Sequence, residues 1–145
     1  MISRNERAGI QIVDGAGDVN VTGCSVSHNY GDGINMTYSG GRVNVSYSQV
    51  ESNAGFGLVA WYNQSSPKLA LQQHFIVAFN QFALNDWSAV QVGNFCTQGS
   101  VNVSSNVFRD SLSNALEIRS CWQQSAPLRN VSVAHNQVRL RYDYL

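Results

Sequence analysis

Apolar and polar residues alternate along this chain in short, recurring bursts. "VNVT" at 19–22, "VNVS" at 43–46 and 101–104, and "VSVA" at 131–134 each have a period of two, the signature of a strand that buries one face. "LALQQHFI" at 69–76 fits the frame more loosely, so repeat units start at 19, 43, 69, 101 and 131. A second apolar-x-apolar triplet follows in each unit, always after a small residue: "DGINM", "FGLVA", "SAVQV", "NALEI". Alternation points Ile34 and Met36, Leu58 and Ala60, Val90 and Val92, and Leu116 and Ile118 inward. Asn35, Val59, Gln91 and Glu117 then point outward. Asn, Ser, Gly and β-branched residues dominate and no stretch has apolar residues at helical spacing, which argues against helix.

Short strands repeated at drifting intervals predict a solenoid. An immunoglobulin-like sandwich needs strands of alternating direction and would not reproduce one unit so literally. The expected fold is all-β: a right-handed single-stranded parallel β-helix, or pectin-lyase-like solenoid. It has five to six coils, forms one domain over 1–145, and is a segment of a longer chain without caps. Each side chain would sit on its counterpart about 4.8 Å away in the next coil, so one residue type suits a whole column. In this register Cys24, Ser48, His74, Asn106 and Asn136 share an inward position, where amides can form a ladder. Asp32 lies in "GDG" with Phe56, Ser88 and Asn114 as counterparts. It reads as a corner residue, with Gly31 and Gly33 supplying the backbone angles.

Charge changes the picture little: 9 Lys plus Arg balance 9 Asp plus Glu, and Lys68 is the one lysine. That balance disfavours nucleic acid as a partner. No run of 18 apolar residues is present to span a membrane, and "MISRNERAG" lacks the apolar core of a signal peptide. Six Asn-x-Ser/Thr sequons occur, at Asn20, Asn35, Asn44, Asn63, Asn102 and Asn130. Chance pairing of these residue types gives about two. The excess points to a glycosylated, extracellular segment, although a repeat containing "NVS" also generates sequons.

Catalytic chemistry finds no foothold. Glycoside hydrolysis wants two converging carboxylates, and a calcium-assisted lyase wants several acidic ligands beside a strong base. Asp14, Asp18, Asp32, Glu51, Asp86, Asp110 and Glu117 scatter over different corners of the repeat. No nucleophile elbow exists, and His28, His74 and His135 are not at zinc spacing from the cysteines. No enzyme, metal or cofactor is expected. Three extensions, "WYNQSSPK" at 61–68, "GNFCTQGS" at 93–100 and "RSCWQQSAPLR" at 119–129, fall on one corner. Insertions confined to one corner of a solenoid mark a binding edge. They bring Trp61, Tyr62, Phe95, Trp122 and Pro127 together as a candidate interaction surface, unless the rings fold back to cap the corner.

The run "NYGDGINMTYSGGRVNVSYSQVESNAGFGLVAWYN", with the later "RSCWQQSAPLRNVSVAHN", resembles the β-helix segments of the bark beetle (anakonda) family. The likeness covers most of residues 5–140, in the coil frame and in the "GDGI…VNVS", "W-x-N" and "SCW" landmarks. It implies an extracellular β-helix module of a large transmembrane junction protein, acting in assembly of tricellular septate junctions. Its partners would be junction or cell-surface proteins, a second copy included, and its membrane attachment would come from other parts of the chain. No catalytic residues accompany the family. The rival reading is a carbohydrate-active β-helix enzyme, a polysaccharide lyase or glycoside hydrolase, or a glycan-binding module.

Of the three cysteines, Cys24 falls at an inward position and is expected to stay a buried free thiol. Cys96 and Cys121 lie one coil apart on the same corner. The spacing of stacked coils, about 4.8 Å, fits the roughly 4.4 to 6.8 Å between Cα atoms that a bridge requires. A Cys96–Cys121 disulfide is expected, and it would contribute on the order of 3 kcal/mol through chain entropy. Non-reducing peptide mapping of the secreted chain should recover the linked pair. Alkylation of both thiols without prior reduction would rule the bridge out.

Overall fold

The computed structural model describes residues 1–15, 17–38, 41–62, 74–95, 100–120 and 130–139. In chain order the strands begin with β1 (Ile2–Ser3), β2 (Ile10–Gly15), β3 (Val19–Thr22), β4 (Ser25–Ser27), β5 (Ile34–Tyr38) and β6 (Arg42–Ser46). They continue with β7 (Gln49–Glu51), β8 (Leu58–Tyr62), β9 (His74–Ala78), β10 (Gln81–Ala83) and β11 (Val90–Phe95). The last five are β12 (Ser100–Ser104), β13 (Val107–Arg109), β14 (Leu116–Ser120), β15 (Val131–Ala134) and β16 (Gln137–Arg139).

These strands form three parallel sheets. Sheet A runs β1-β4-β7-β10-β13-β16, sheet B β2-β5-β8-β11-β14, and sheet C β3-β6-β9-β12-β15. One turn of the solenoid passes through C, A and B before climbing to the next C. Among the described residues four turns pass through all three sheets, with a partial turn before β3 and another after β14. The count falls short of the five to six coils expected because both outer turns are partial. Sheet A was not foreseen: its strands are two or three residues long, too short for a period of two to register.

The inward alternation holds. Sheet C contributes Val43, Val45, Phe75, Val77, Val101 and Val103, and sheet B contributes Ile34, Met36, Leu58, Ala60, Val90 and Val92. Sheet A adds Val26, Val50, Phe82 and Phe108, the two rings stacked with centroids 5.7 Å apart. Each such burial is worth about 1.5–3 kcal/mol against the entropy of ordering the chain.

Register corrects the third repeat. Phe75 pairs with Val43 below and Val101 above, so the unit placed at 69 begins at 75. Equivalent residues Val19, Val43, Phe75, Val101 and Val131 are then 24, 32, 26 and 30 positions apart. Within each complete turn the path from sheet C to sheet B is constant: Val19 to Ile34, Val43 to Leu58, Phe75 to Val90 and Val101 to Leu116 are each 15 residues. All the variation in length therefore falls between sheets B and C.

The constancy comes from two tight corners. Between C and A, and again between A and B, one residue turns the backbone at positive φ and the next points inward. The turning residues are Gly23, Tyr47, Phe79, Ser105 and His135 at the first corner, and Arg4, His28, Ser52, Leu84 and Asp110 at the second. The residues that follow form two ladders, buried along their middle turns. At the first corner the column is Cys24, Ser48, Asn80, Asn106 and Asn136, so Asn80 holds the place assigned to His74. Asn106 Nδ2 donates to Asn136 Oδ1 at 3.0 Å, as the ladder requires. At the second corner the column is Asn5, Asn29, Asn53 and Asn85. Cys24 is a free thiol but half-buried rather than buried.

The glycines of "GDG" also need correction. Neither Gly31 nor Gly33 is at positive φ. They are small because neighbouring turns press close: a Cβ on Gly33 would stand 2.5 Å from Val50 Cγ1 and 2.6 Å from the Gly57 carbonyl oxygen. Space, not backbone freedom, selects glycine there.

The second ladder stops at Ser111, the counterpart of Asn85, whose Oγ is buried without a partner together with Arg109 Nε. Ser111→Asn should extend the column and raise stability by about 1 kcal/mol. Asn53→Ala should lower it by about 3 kcal/mol, because buried amide groups of Asn29 and Asn85 lose their partners. Denaturant unfolding checks both, and equal stabilities for the two variants would contradict the ladder's role.

Candidate functional site

The expected contact corner joins sheets B and C. Trp61 is half-buried there. A Cβ on Gly93 would lie 2.5 Å from the Trp61 ring, so the ring rests against the next turn of sheet B. Tyr62 pairs with Tyr38 through the backbone, and Phe95 with Ser120. Trp122 and Pro127 lie outside the described residues. A register shift between Val92 and Phe95 brings Phe95 opposite Ser120. Cys96 and Cys121 come next in sequence after that pair, and they too lie outside the described residues.

The sequons fall on two sheets. Asn20, Asn44 and Asn102 line the outer face of sheet C, with Asn20 and Asn102 exposed and Asn44 half-buried. Asn44 Nδ2 donates to Asn20 Oδ1 at 2.8 Å. Asn35 sits half-buried on the outer face of sheet B and donates to Asp32 Oδ2 at 2.6 Å. Asn130 is exposed at a positive φ of 60°, and Asn63 lies outside the described residues.

Carboxylates act as locks. Asp32 Oδ1 accepts the backbone N–H of Phe56 in the next turn at 2.9 Å, and it occupies the space where Gly55 has no Cβ. Asp18 Oδ1 accepts the N–H of Arg42, again one turn up, at 2.8 Å. Glu117 takes a bond from Gln91 Nε2 at 2.6 Å and an ion pair from Arg119 at 2.6 Å. Val59 and Gln91 face outward on sheet B yet are only 2% and 3% exposed. Among the described residues no three His, Cys, Asp or Glu side chains converge as a metal site would require.

What the sequence reading missed is the edge between sheets A and B. Its turns carry one or more large apolar side chains each: Tyr30 (77% exposed), Leu84 (48%), Trp87 (57%) and Leu112 (80%), with Phe56 half-buried beside them. Phe56 and Trp87 meet edge-on, centroids 5.1 Å apart. A second pair, Tyr47 and Phe79, stacks at 5.0 Å on the neighbouring corner. The signal was present as large apolar residues inside segments otherwise composed of Asn, Ser and Gly. Constant length hid it, since varying length was the mark sought.

Residues 1–82 match a family described as the right handed beta helix region. Over 140 residues, 91% of this chain, the sequence is 46% identical to protein bark beetle of Drosophila melanogaster. The chain spans about 4% of the length of that protein. No solved structure matches it.

Glu117 gives the outer face of sheet B a pH dependence. The Arg119 guanidinium, and after it the Gln91 amide, hold its carboxyl below the ordinary value of 4.5, against an opposing effect of partial burial. A depressed carboxylate stabilises the fold above the unfolded value and loses that contribution as pH falls through the folded one. Glu117→Gln should therefore cost well under about 1 kcal/mol at neutral pH, given how exposed Arg119 is. The gap between variant and parent should close below pH 4.5. Thermal unfolding across pH 3 to 7 tests this, and a gap that widens in acid would refute it.

Proposed function

We propose, for a chain that belongs to the right-handed β-helix family and is related to protein bark beetle, that it is an extracellular, non-enzymatic module for cell adhesion or junction scaffolding. The observation that carries this reading is the apolar edge from Tyr30 through Phe56, Leu84 and Trp87 to Leu112. Aromatic and leucine side chains repeated along one exposed edge suit burial against a protein partner, and exposed apolar side chains clustered in this way mark interaction sites. Paired corners hold that edge rigid, so binding would cost little ordering entropy. Sugars on Asn20 and Asn102 would shield the outer face of sheet C and leave the edge between A and B open. A role at tricellular septate junctions follows from the family resemblance, with membrane attachment supplied by other parts of the protein. Asp32, Asp18 and Glu117, engaged in locking neighbouring turns together, support a scaffold over a catalyst.

Beads bearing the secreted chain should cluster or bind epithelial cell surfaces. Trp87→Ala combined with Leu112→Ser should reduce that binding at least tenfold without lowering the melting temperature. Turnover of any of a panel of acidic and neutral polysaccharides, with binding unaffected by the double variant, would replace this reading with a carbohydrate-active one.

A further inference from the structure

Along the edge between sheets A and B, the side chains do not fill every turn. Tyr30, Ala54 and Asp86 stand on successive turns: their backbone N–H groups donate to Asn5, Asn29 and Asn53 carbonyls at 2.9, 3.0 and 3.0 Å. His28, Ser52 and Leu84 form the adjacent column, at φ of 54°, 54° and 53°. In both columns the middle residue is small and its neighbours are large. The result is an open notch with Tyr30 and His28 on one wall, Leu84 and Asp86 on the other, and Ser52 and Ala54 as its floor. Large side chains on the two outer turns are separated by two strand spacings, about 9.6 Å, which leaves one layer about 4.8 Å thick unfilled.

We infer that this notch receives an arginine side chain presented by a partner protein, the planar guanidinium lying between the Tyr30 ring and the Asp86 carboxylate. The inference rests on the adhesive reading of this edge. Charge selects the occupant, because the lining contains one carboxylate and neither lysine nor arginine. Among the described residues the Asp86 carboxylate has no hydrogen-bond or ion-pair partner. Shape agrees: a guanidinium is flat, fits a single layer, stacks on an aromatic face, and is attracted by the charge of a nearby carboxylate. Its three-carbon stem would run along Leu84, whose side chain is half exposed. A neutral sugar would satisfy the Tyr30 ring but would leave the carboxylate uncompensated.

The test follows the Tyr30 ring and Leu84 methyl resonances during titration of the secreted chain with N-acetyl-arginine-N-methylamide. Parallel titrations use the matching citrulline derivative, equal in shape but uncharged, and methyl β-glucoside. Saturable shifts are expected with the arginine derivative, at an affinity on the order of 10 mM that weakens with added salt. The citrulline derivative should bind at least fivefold more weakly. Asp86→Asn should weaken the arginine derivative at least fivefold, Ala54→Leu should abolish its binding by filling the gap, and Tyr30→Phe should leave it intact. A retained amide spectrum shows that each variant is folded. Equal responses to arginine and citrulline, indifference to Asp86→Asn, or a stronger response to the glucoside would each overturn the proposal. These shifts report on the notch itself, whereas the bead assay depends on Trp87 and Leu112, so the two readings can fail separately.

Discussion

Everything in this solenoid hangs on buried asparagines saturated by the turns above and below them. Asn106 shows the accounting. Its Oδ1 accepts both the backbone N–H and the Nδ2 of Asn80, at 3.0 Å each. Its own Nδ2 donates upward to Asn136 at 3.0 Å and sideways to the Val77 carbonyl at 2.9 Å. Every hydrogen-bonding position of the side-chain amide is used, and the residue is fully buried. Aspartate lacks the donors, glutamine is a methylene too long, and serine supplies half the bonds: Ser48 Oγ accepts the Cys24 N–H at 3.1 Å and donates to the Ser46 carbonyl at 3.0 Å. In a low-dielectric interior a complete network is strong and an incomplete one is costly. The amide therefore fixes both the residue at the corner and the spacing of the turns.

From that constraint follows the division of labour around the coil. Two corners closed by ladders cannot change length without breaking a column of amides, so every turn takes 15 residues from sheet C to sheet B. Between the strands of sheet B and those of sheet C the chain runs for between 3 and 11 residues. The same logic makes Asp32 a structural residue. It bonds upward to Phe56 and sideways to Asn35, stitching one turn to the next where no amide ladder runs.

Much of this was legible in the sequence, and the losses have physical causes. "VNV" announces itself because valine inside and asparagine outside is a burial pattern, and burial is what a period of two reports. The amide column was half visible at Asn106 and Asn136. It failed one turn below because "LALQQHFI" alternates well enough to place His74 where Asn80 stands, and alternation alone does not separate a shift of six residues from the true register. Tertiary pairing of Phe75 with Val43 and Val101 decides it. Sheet A and the apolar edge were lost for a common reason: both lie in segments whose Asn, Ser and Gly content reads as loop. The sequence around Trp61 weighs exposure and burial equally; in the structure the residue is half-buried with its ring against Gly93 of the next turn.

The corners also show where the chain spends stability on its surface. Each turning position demands a left-handed backbone, which costs a side-chain-bearing residue on the order of 1 kcal/mol relative to glycine. Gly23 shows that the frame accepts glycine there, yet Tyr47, Phe79 and Leu84 occupy equivalent places at φ of 52°, 58° and 53°. Tyr47 and Phe79 offset the strain by stacking on each other at 5.0 Å. Leu84 sits half exposed and forms a wall of the notch beside Asp86. A leucine in a strained conformation with half its surface exposed gains less within the fold than a buried one. Strain of this kind persists where surrounding structure over-determines it, and the ladder residue Asn85 immediately after Leu84 does so here. The amides that hold the solenoid together are thus what allow its edge to carry large side chains at positions where the backbone alone would favour glycine.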